Sequence, residues 1–595
     1  MTGAPDDPRG RTARPATRPS AWFARPLNAG PVAGGLRKRG VPAGGAPAAG
    51  APSGGVLADG APAGGASAAG ASAGGALVDG APSGGALAGG AFAGGASAGG
   101  AHRGPARRPD ARPDALDGLR RRGAGILLQR DAAGAAALAR DAERRCLDLA
   151  RSWLASGDPA AAVRALETGR GLALLAATRY RDVPATLDAA RRRDLALRWR
   201  MSAPGREPAA LRQEILDVMC GGRAEPPDPP ALPEIGDVLG ALDADALVYL
   251  VPGAPPTPGW AVMIAAGGGR PSCIALPGLH DAGAPAADGL EMLGGWAWRV
   301  AMGPLVERFL PSLPPPSGRP HRVVLVAMGG LSRVPWQAAH HNGRYAVQAA
   351  AFSHALSAGM LCGSAAAAPV PVAPVGLVVG DPATAGPALP GARAEACAVH
   401  RVFYPGARYV GRRADGSPAR SGPGTAAEVR DWLTDTRPAA GAVLHLACHG
   451  APAHLALAAP APGAGDGRLT AGEVGAALAG APDRAIALVV LAACGAGHDE
   501  AAGLGTAFLA GGVRSVLSAR WHVPDRAASL LLFMFHHFLM AERRPAWDAL
   551  HRAQLWMLDA GRTPPPRMPG RLLRHLSETD PARAVAWSGY VHSGQ

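Results

Sequence analysis

The sequence predicts an α/β protein with a mostly parallel sheet flanked by helices. An N-terminal helical hairpin and a disordered Gly/Ala-rich tail precede it. Three observations carry that expectation. From about residue 235, short apolar runs alternate with amphipathic helical stretches, the pattern of a sheet covered on both faces. Between Leu138 and Leu174, apolar residues recur at three- and four-residue spacing, which marks a helix face. From Gly30 to Gly100 every fifth residue is glycine, and almost no bulky side chain stands between them.

Composition bounds the rest. The 595 residues leave room for about three domains at roughly 100–200 residues each. Hydrophobic residues make up 48% but aromatics only 5%, so the core must be built mostly from Ala, Val and Leu. A glycine period of five excludes collagen, which needs three. No run of about 18 uncharged apolar residues occurs, so no membrane partner is expected. The net charge is +14, carried almost wholly by arginine, with Lys38 the one lysine. No dense basic stripe with interleaved aromatics occurs, so a nucleic-acid partner is not expected and would rest on net charge alone. Seven widely spaced cysteines without a CxxC give no disulfide framework. With no apolar leader segment either, the expected location is the cytoplasm.

Residues 1–115 read as a disordered tail, because the glycine pentads cannot bury enough to offset backbone entropy. Residues 120–202 read as a helical, tetratricopeptide-like hairpin. Leu138, Ala142, Cys146, Leu149 and Trp153 share one helix face, Gly157 ends that helix, and Asp158 with Pro159 starts the next. One such unit cannot stack as a solenoid, so it should pack on the strand–helix region downstream of it. Residues 203–235, rich in Pro and charge, read as a linker. Residues 235–365 form a first strand–helix block with strands at Ala246–Val251, 260–265 and 323–327. Residues 370–595 form a second, with strands at 376–379, 443–447, 487–492 and 515–519.

Two strand ends carry reactive side chains. One apolar run ends in His445-Leu446-Ala447-Cys448-His449-Gly450, the next in Leu491-Ala492-Ala493-Cys494-Gly495. In an open parallel sheet, chemistry sits beyond the carboxyl ends of the strands. An imidazole there can take a thiol proton, and the thiolate can attack a carbonyl carbon. Gly450 lets a backbone N–H approach a developing oxyanion. Period-two alternation puts His445, Ala447 and His449 on one face and Cys448 on the other. A zinc set of His445, Cys448, Cys494 and His498 is therefore hard to converge, and no metal or cofactor is expected.

His-Gly after one strand and Ala-Cys after the next resemble the caspase-like cysteine peptidases, and more closely the CHAT domain. The resemblance runs over 235–595. It includes Val379-Gly380-Asp381-Pro382, Leu389-Pro390-Gly391-Ala392 with Glu395, Gly503-Leu504-Gly505-Thr506, Trp521-His522-Val523-Pro524-Asp525 and Trp587-Ser588-Gly589-Tyr590. Upstream, Leu166-Glu167-Thr168-Gly169-Arg170-Gly171 looks like the helix that often precedes such domains. The resemblance implies a caspase-like fold, with 235–365 as its non-catalytic half and 370–595 as its catalytic half. It implies a cysteine endopeptidase that cleaves a protein or peptide substrate and stays latent until a partner engages. His449 would be the base and Cys494 the nucleophile, with no third catalytic residue. The N–H groups of Gly450 and Cys494 would form the oxyanion hole. Trp521 and Asp525 would line a substrate pocket, against the plainer reading of a core tryptophan and a helix cap. An activating protein could dock on the helical hairpin. The rival class is a non-catalytic scaffold on the same fold that only binds partners.

Overall fold

The computed structural model describes residues 112–180, 182–220, 228–280, 289–435, 440–451, 454–459, 467–481, 483–493 and 503–595. The expected tail, 1–115, lies outside them except for its last four residues, which open a helix, Arg112–Arg120. Leu116 and Leu119 of that helix are buried in the hairpin core.

The hairpin is made of helices Ala132–Ala155 and Pro159–Arg179. Asp131 caps the first through the Gly134 N–H, and Asp158 caps the second through the Ala161 N–H, with Pro159 in its first turn. Gly157 makes the turn between them at φ +78°, which a side chain would strain. The buried stripe of the first helix includes Ala139, Ala142, Cys146 and Trp153. It shares one core with Leu166 of the second helix and with Leu247, Tyr249 and Val324 of the sheet. The hairpin therefore packs on the sheet rather than on a second unit like itself. Glu167, wholly buried, accepts hydrogen bonds from the Tyr249 hydroxyl at 2.8 Å and from the Ala358 and Gly359 N–H groups at 2.9 and 2.8 Å. Arg170 donates to the Ala327 carbonyl at 2.6 Å.

The expected linker, 203–235, is instead partly helical. A helix spans Ala209–Cys220, with Leu211 and Ile215 buried, and another starts at Leu232. Its Pro and charged residues mask an apolar spacing of four, which a composition count does not detect.

In chain order the strands are β1 (Ala246–Val251), β2 (Gly259–Ala265), β3 (Ser272–Leu276), β4 (His321–Ala327), β5 (His340–His341), β6 (Arg344–Tyr345), β7 (Ala350–His354) and β8 (Gly376–Gly380). They continue with β9 (Arg408–Gly411), β10 (Ala442–Ala447), β11 (His449–Ala451), β12 (His454–Ala456), β13 (Arg468–Thr470), β14 (Ile486–Ala492), β15 (Ser515–Ala519) and β16 (Tyr590–Gly594). Eleven of them form one sheet in the order β3-β2-β1-β4-β7-β16-β15-β14-β10-β8-β9. Its pairs are parallel except β1/β2, β2/β3 and β15/β16. The last strand, β16, is the seam between the strands of 235–365 and those of 370–595.

Strand alternation sorts the second block into two cores. Val378, Ala447, Val490 and Leu517 face the helices Pro390–Phe403, Asp525–His536 and Ala546–Leu558. Leu377, Leu446, Cys448 and Leu491 face the other way, toward Leu174 of the hairpin and the helices Ala426–Thr434, Ala471–Ala479 and Leu504–Ala510. Among the described residues, no helix is long and apolar enough to cross a membrane.

Candidate active site

The site is built at the carboxyl ends of β8, β10 and β14. The three strands are parallel neighbours and finish flush: Ala447 lies opposite Ala492 on one side and Gly380 on the other. His449 comes two positions after Ala447, and Cys494 two positions after Ala492. Cys494 itself, like His498, lies outside the described residues; Ala493 before it is buried.

His449 is half-buried at the start of β11, and its Nε2 is 2.6 Å from the Pro387 carbonyl oxygen. A carbonyl only accepts, so Nε2 carries a proton, and in the neutral ring the lone pair is on Nδ1. Gly386 lies beside this contact: a Cβ there would stand 3.2 Å from Nε2, a tight approach. Gly450 comes next in the same hairpin, half-buried and opposite Leu455 of β12.

Pro387 belongs to residues 381–389, which leave β8, pass the end of β10 and enter the helix Pro390–Phe403. Both ends of this segment are pinned. At one end the Asp381 N–H donates to the Ala447 carbonyl at 2.7 Å, and the buried Asp381 carboxylate pairs with Arg412 at 2.8 Å and Arg393 at 3.3 Å. At the other end, Asp525 accepts from the Gly391 N–H at 2.5 Å and the Ala392 N–H at 2.8 Å. Asp525 is the first residue of its own helix, Asp525–His536, yet it caps a different one. Of the two expected pocket residues, it is thus committed to backbone. Trp521 is half-buried between β15 and that helix, with its indole against Gly589.

His445 and Cys448 take opposite faces, in separate cores, and do not converge. His445 is wholly buried, with Nε2 2.7 Å from Glu395 Oε1 and Nδ1 3.2 Å from Nε2 of His536. His536 Nδ1 in turn lies 2.9 Å from the Tyr404 hydroxyl. One arrangement satisfies all three bonds with both rings neutral: Tyr404 donates to His536, His536 to His445, and His445 to an ionised Glu395. Burial raises the Glu395 carboxyl, and the His445 hydrogen bond opposes that. Burial and the neighbouring His445 hold His536 well below its usual range, so it stays neutral.

Sequence reasoning missed the Pro387 carbonyl, because a backbone acceptor has no residue-type signature. It assigns no role to Glu395 or to His536. Glu395, His445 and His536 sit on three elements, and only folding shows that they meet.

Three comparisons with known proteins give one family match. A family model of the CHAT domain matches residues 291–595, just over half of the chain. The chain belongs to the CHAT-domain family. The matched region of the CHAT domain begins in the helix Leu290–Ala297, so β1, β2 and β3 precede it although they share its sheet. No curated protein matches the chain. Among solved structures, the crystal structure of the Arg-specific cysteine proteinase gingipain R is similar at 8% identity and a TM-score of 0.29. That match covers 51% of this chain and 67% of the other.

Proposed function

We propose that this CHAT domain is a cysteine endopeptidase acting on a protein substrate, with His449 as base and Cys494 as nucleophile. One observation supports the reading above others: β10 and β14 are parallel neighbours ending in register, with an outward histidine just past the first and a cysteine just past the second. The Pro387 bond leaves Nδ1 as the basic nitrogen. Nδ1 takes the thiol proton, and the sulfur forms a bond to the scissile carbonyl carbon. The oxyanion is met by the Gly450 and Cys494 N–H groups. Collapse breaks the C–N bond, and the departing amine takes the proton back from the imidazolium. Water, activated by the same ring, then hydrolyses the thioester. The domain is latent until a protein partner engages, as the family implies.

Incubating the full chain with a cell proteome and sequencing new protein N-termini tests this. Wild type should generate them, while Cys494→Ala and His449→Ala should not. Cleavage that persists in Cys494→Ala would exclude this mechanism, and no cleavage with any partner would favour the scaffold.

A further inference from the structure

We propose that Asp525 is a positioning residue for His449, acting through the start of the helix Pro390–Phe403 and the Pro387 carbonyl. The inference rests on the peptidase reading and deepens it.

The helix that Asp525 caps has no cap of its own. Leu389 stands at its N-cap position and makes no side-chain hydrogen bond, and Pro390 comes next, in its first turn. The exposed N–H groups of that turn therefore need an acceptor from elsewhere. Asp525 supplies both oxygens, one to Gly391 and one to Ala392. Its own helix receives no such cap, since Pro524 stands before it. The approach is tight: a Cβ on Gly391 would stand 2.6 Å from the Asp525 carboxyl carbon. Only glycine at 391 allows the carboxylate to reach both N–H groups.

Pro387 lies four residues before Gly391. A tether at Gly391 and Ala392 therefore fixes where the Pro387 carbonyl points. That carbonyl is the one hydrogen-bond partner of the His449 ring among the described residues. The other end of the segment is held by Asp381, so Asp525 supplies the second of two anchors. Without it, residues 382–389 are held from one side only, and the His449 ring loses its fixed direction. The residue expected in a pocket acts instead on the base, two hydrogen bonds and one short segment away.

The test is the pH profile of Cys494 alkylation by iodoacetamide in the full chain, read by mass spectrometry. The proteins are wild type, Asp525→Ala, Asp525→Asn, His449→Ala and Asp158→Ala. Asp158 is a remote cap of the same type and controls for lost stability. Asp525→Ala should move the midpoint up toward the free-thiol value of about 8.5. A shift of one unit cuts the thiolate, and so the labelling rate, about tenfold below the midpoint. Asp525→Asn, which keeps one acceptor oxygen, should shift less and in the same direction; it also serves if the alanine variant does not fold. Asp158→Ala should lower the melting temperature and leave the profile in place. If the two Asp525 variants melt earlier but label as wild type does, Asp525 is a helix cap only and the proposal fails. If wild-type Cys494 labels as a free thiol both alone and with candidate partners, and His449→Ala changes nothing, the peptidase reading fails and the proposal with it.

Discussion

His445 and His449 lie four residues apart on the same side of one strand direction, and burial alone separates their roles. His445 is wholly enclosed and bonded on both nitrogens, so no substrate can reach it. His449 stands past the strand end, half-exposed and held on one nitrogen. His445→Ala would strand the Glu395 carboxylate and one nitrogen of His536 in a dry core. Leaving a buried polar group without its hydrogen-bond partner costs about 1–3 kcal/mol. The urea midpoint of His445→Ala should fall accordingly, whereas His449→Ala should barely move it. The thiols separate by the same logic. Burial pushes the Cys146 thiol up to about 12, and that of Cys362 higher still. Neither should take up iodoacetamide in the folded protein at about pH 8, and both should do so in denaturant. Rapid labelling of Cys146 in the native state would contradict its packing in the hairpin core. At this scale the sequence identified the reactive residue types and their face alternation. It could not identify Pro387, whose contribution is a main-chain oxygen.

At the scale of the element, strand and helix positions were largely legible. The apolar runs of β1, β4, β10, β14 and β15 match the expected strands to within one or two residues. The strands β3, β7, β9 and β16 were missed because each is short and mixes apolar with polar residues, so neither period stands out. Two glycines show what context decides. Gly376 opens β8 at φ +145°, and a Cβ there would stand 1.9 Å from the Val443 carbonyl oxygen of the paired strand. Gly475 lies inside the helix Ala471–Ala479 with nothing within 4 Å of its Cβ position. Gly376→Ala should therefore lower the melting temperature by pushing β8 off β10. Gly475→Ala should raise stability by about 0.5–1 kcal/mol, the usual gain for a helix interior. Thermal melts check both, and a loss of stability in Gly475→Ala would contradict the open space beside it.

For the whole molecule, histidines buried in the sheet and in a helix packed on it carry a pH dependence. His354, His536 and His592 are fully buried and held well below their usual range, in each case chiefly by burial. Arg520 adds to the effect at His354, and Arg322 at His592. The unfolded chain takes up protons at these residues near a pH of about 6.5, and the folded chain does not. Stability should be level above that value and fall below it, by about 1.4 kcal/mol per pH unit for each histidine. Buried Glu167 and Glu395 have raised values and act the other way, losing their contribution as pH rises from about 4.5. Three deeply shifted histidines against two carboxyls leave the protein acid-sensitive between about pH 6.5 and 5. Calorimetry should show the melting temperature falling over that range; a rise would mean that the carboxyls dominate.

What the sequence determined by itself was local. Periodicity set the helices and the buried strands, because each residue's preference for a face acts along its own element. The His449-Gly450 and Ala493-Cys494 strand ends were legible for the same reason. What only the tertiary structure decided was which elements meet. The last strand, β16, lies between β7 and β15, the Glu395, His445, His536 and Tyr404 side chains form one buried chain, and Asp525 caps a helix 133 residues away in the sequence, at Ala392. These contacts satisfy polar groups that burial would otherwise leave unpaired. That requirement acts through space, and so the spacing of residues along the chain carries no trace of it.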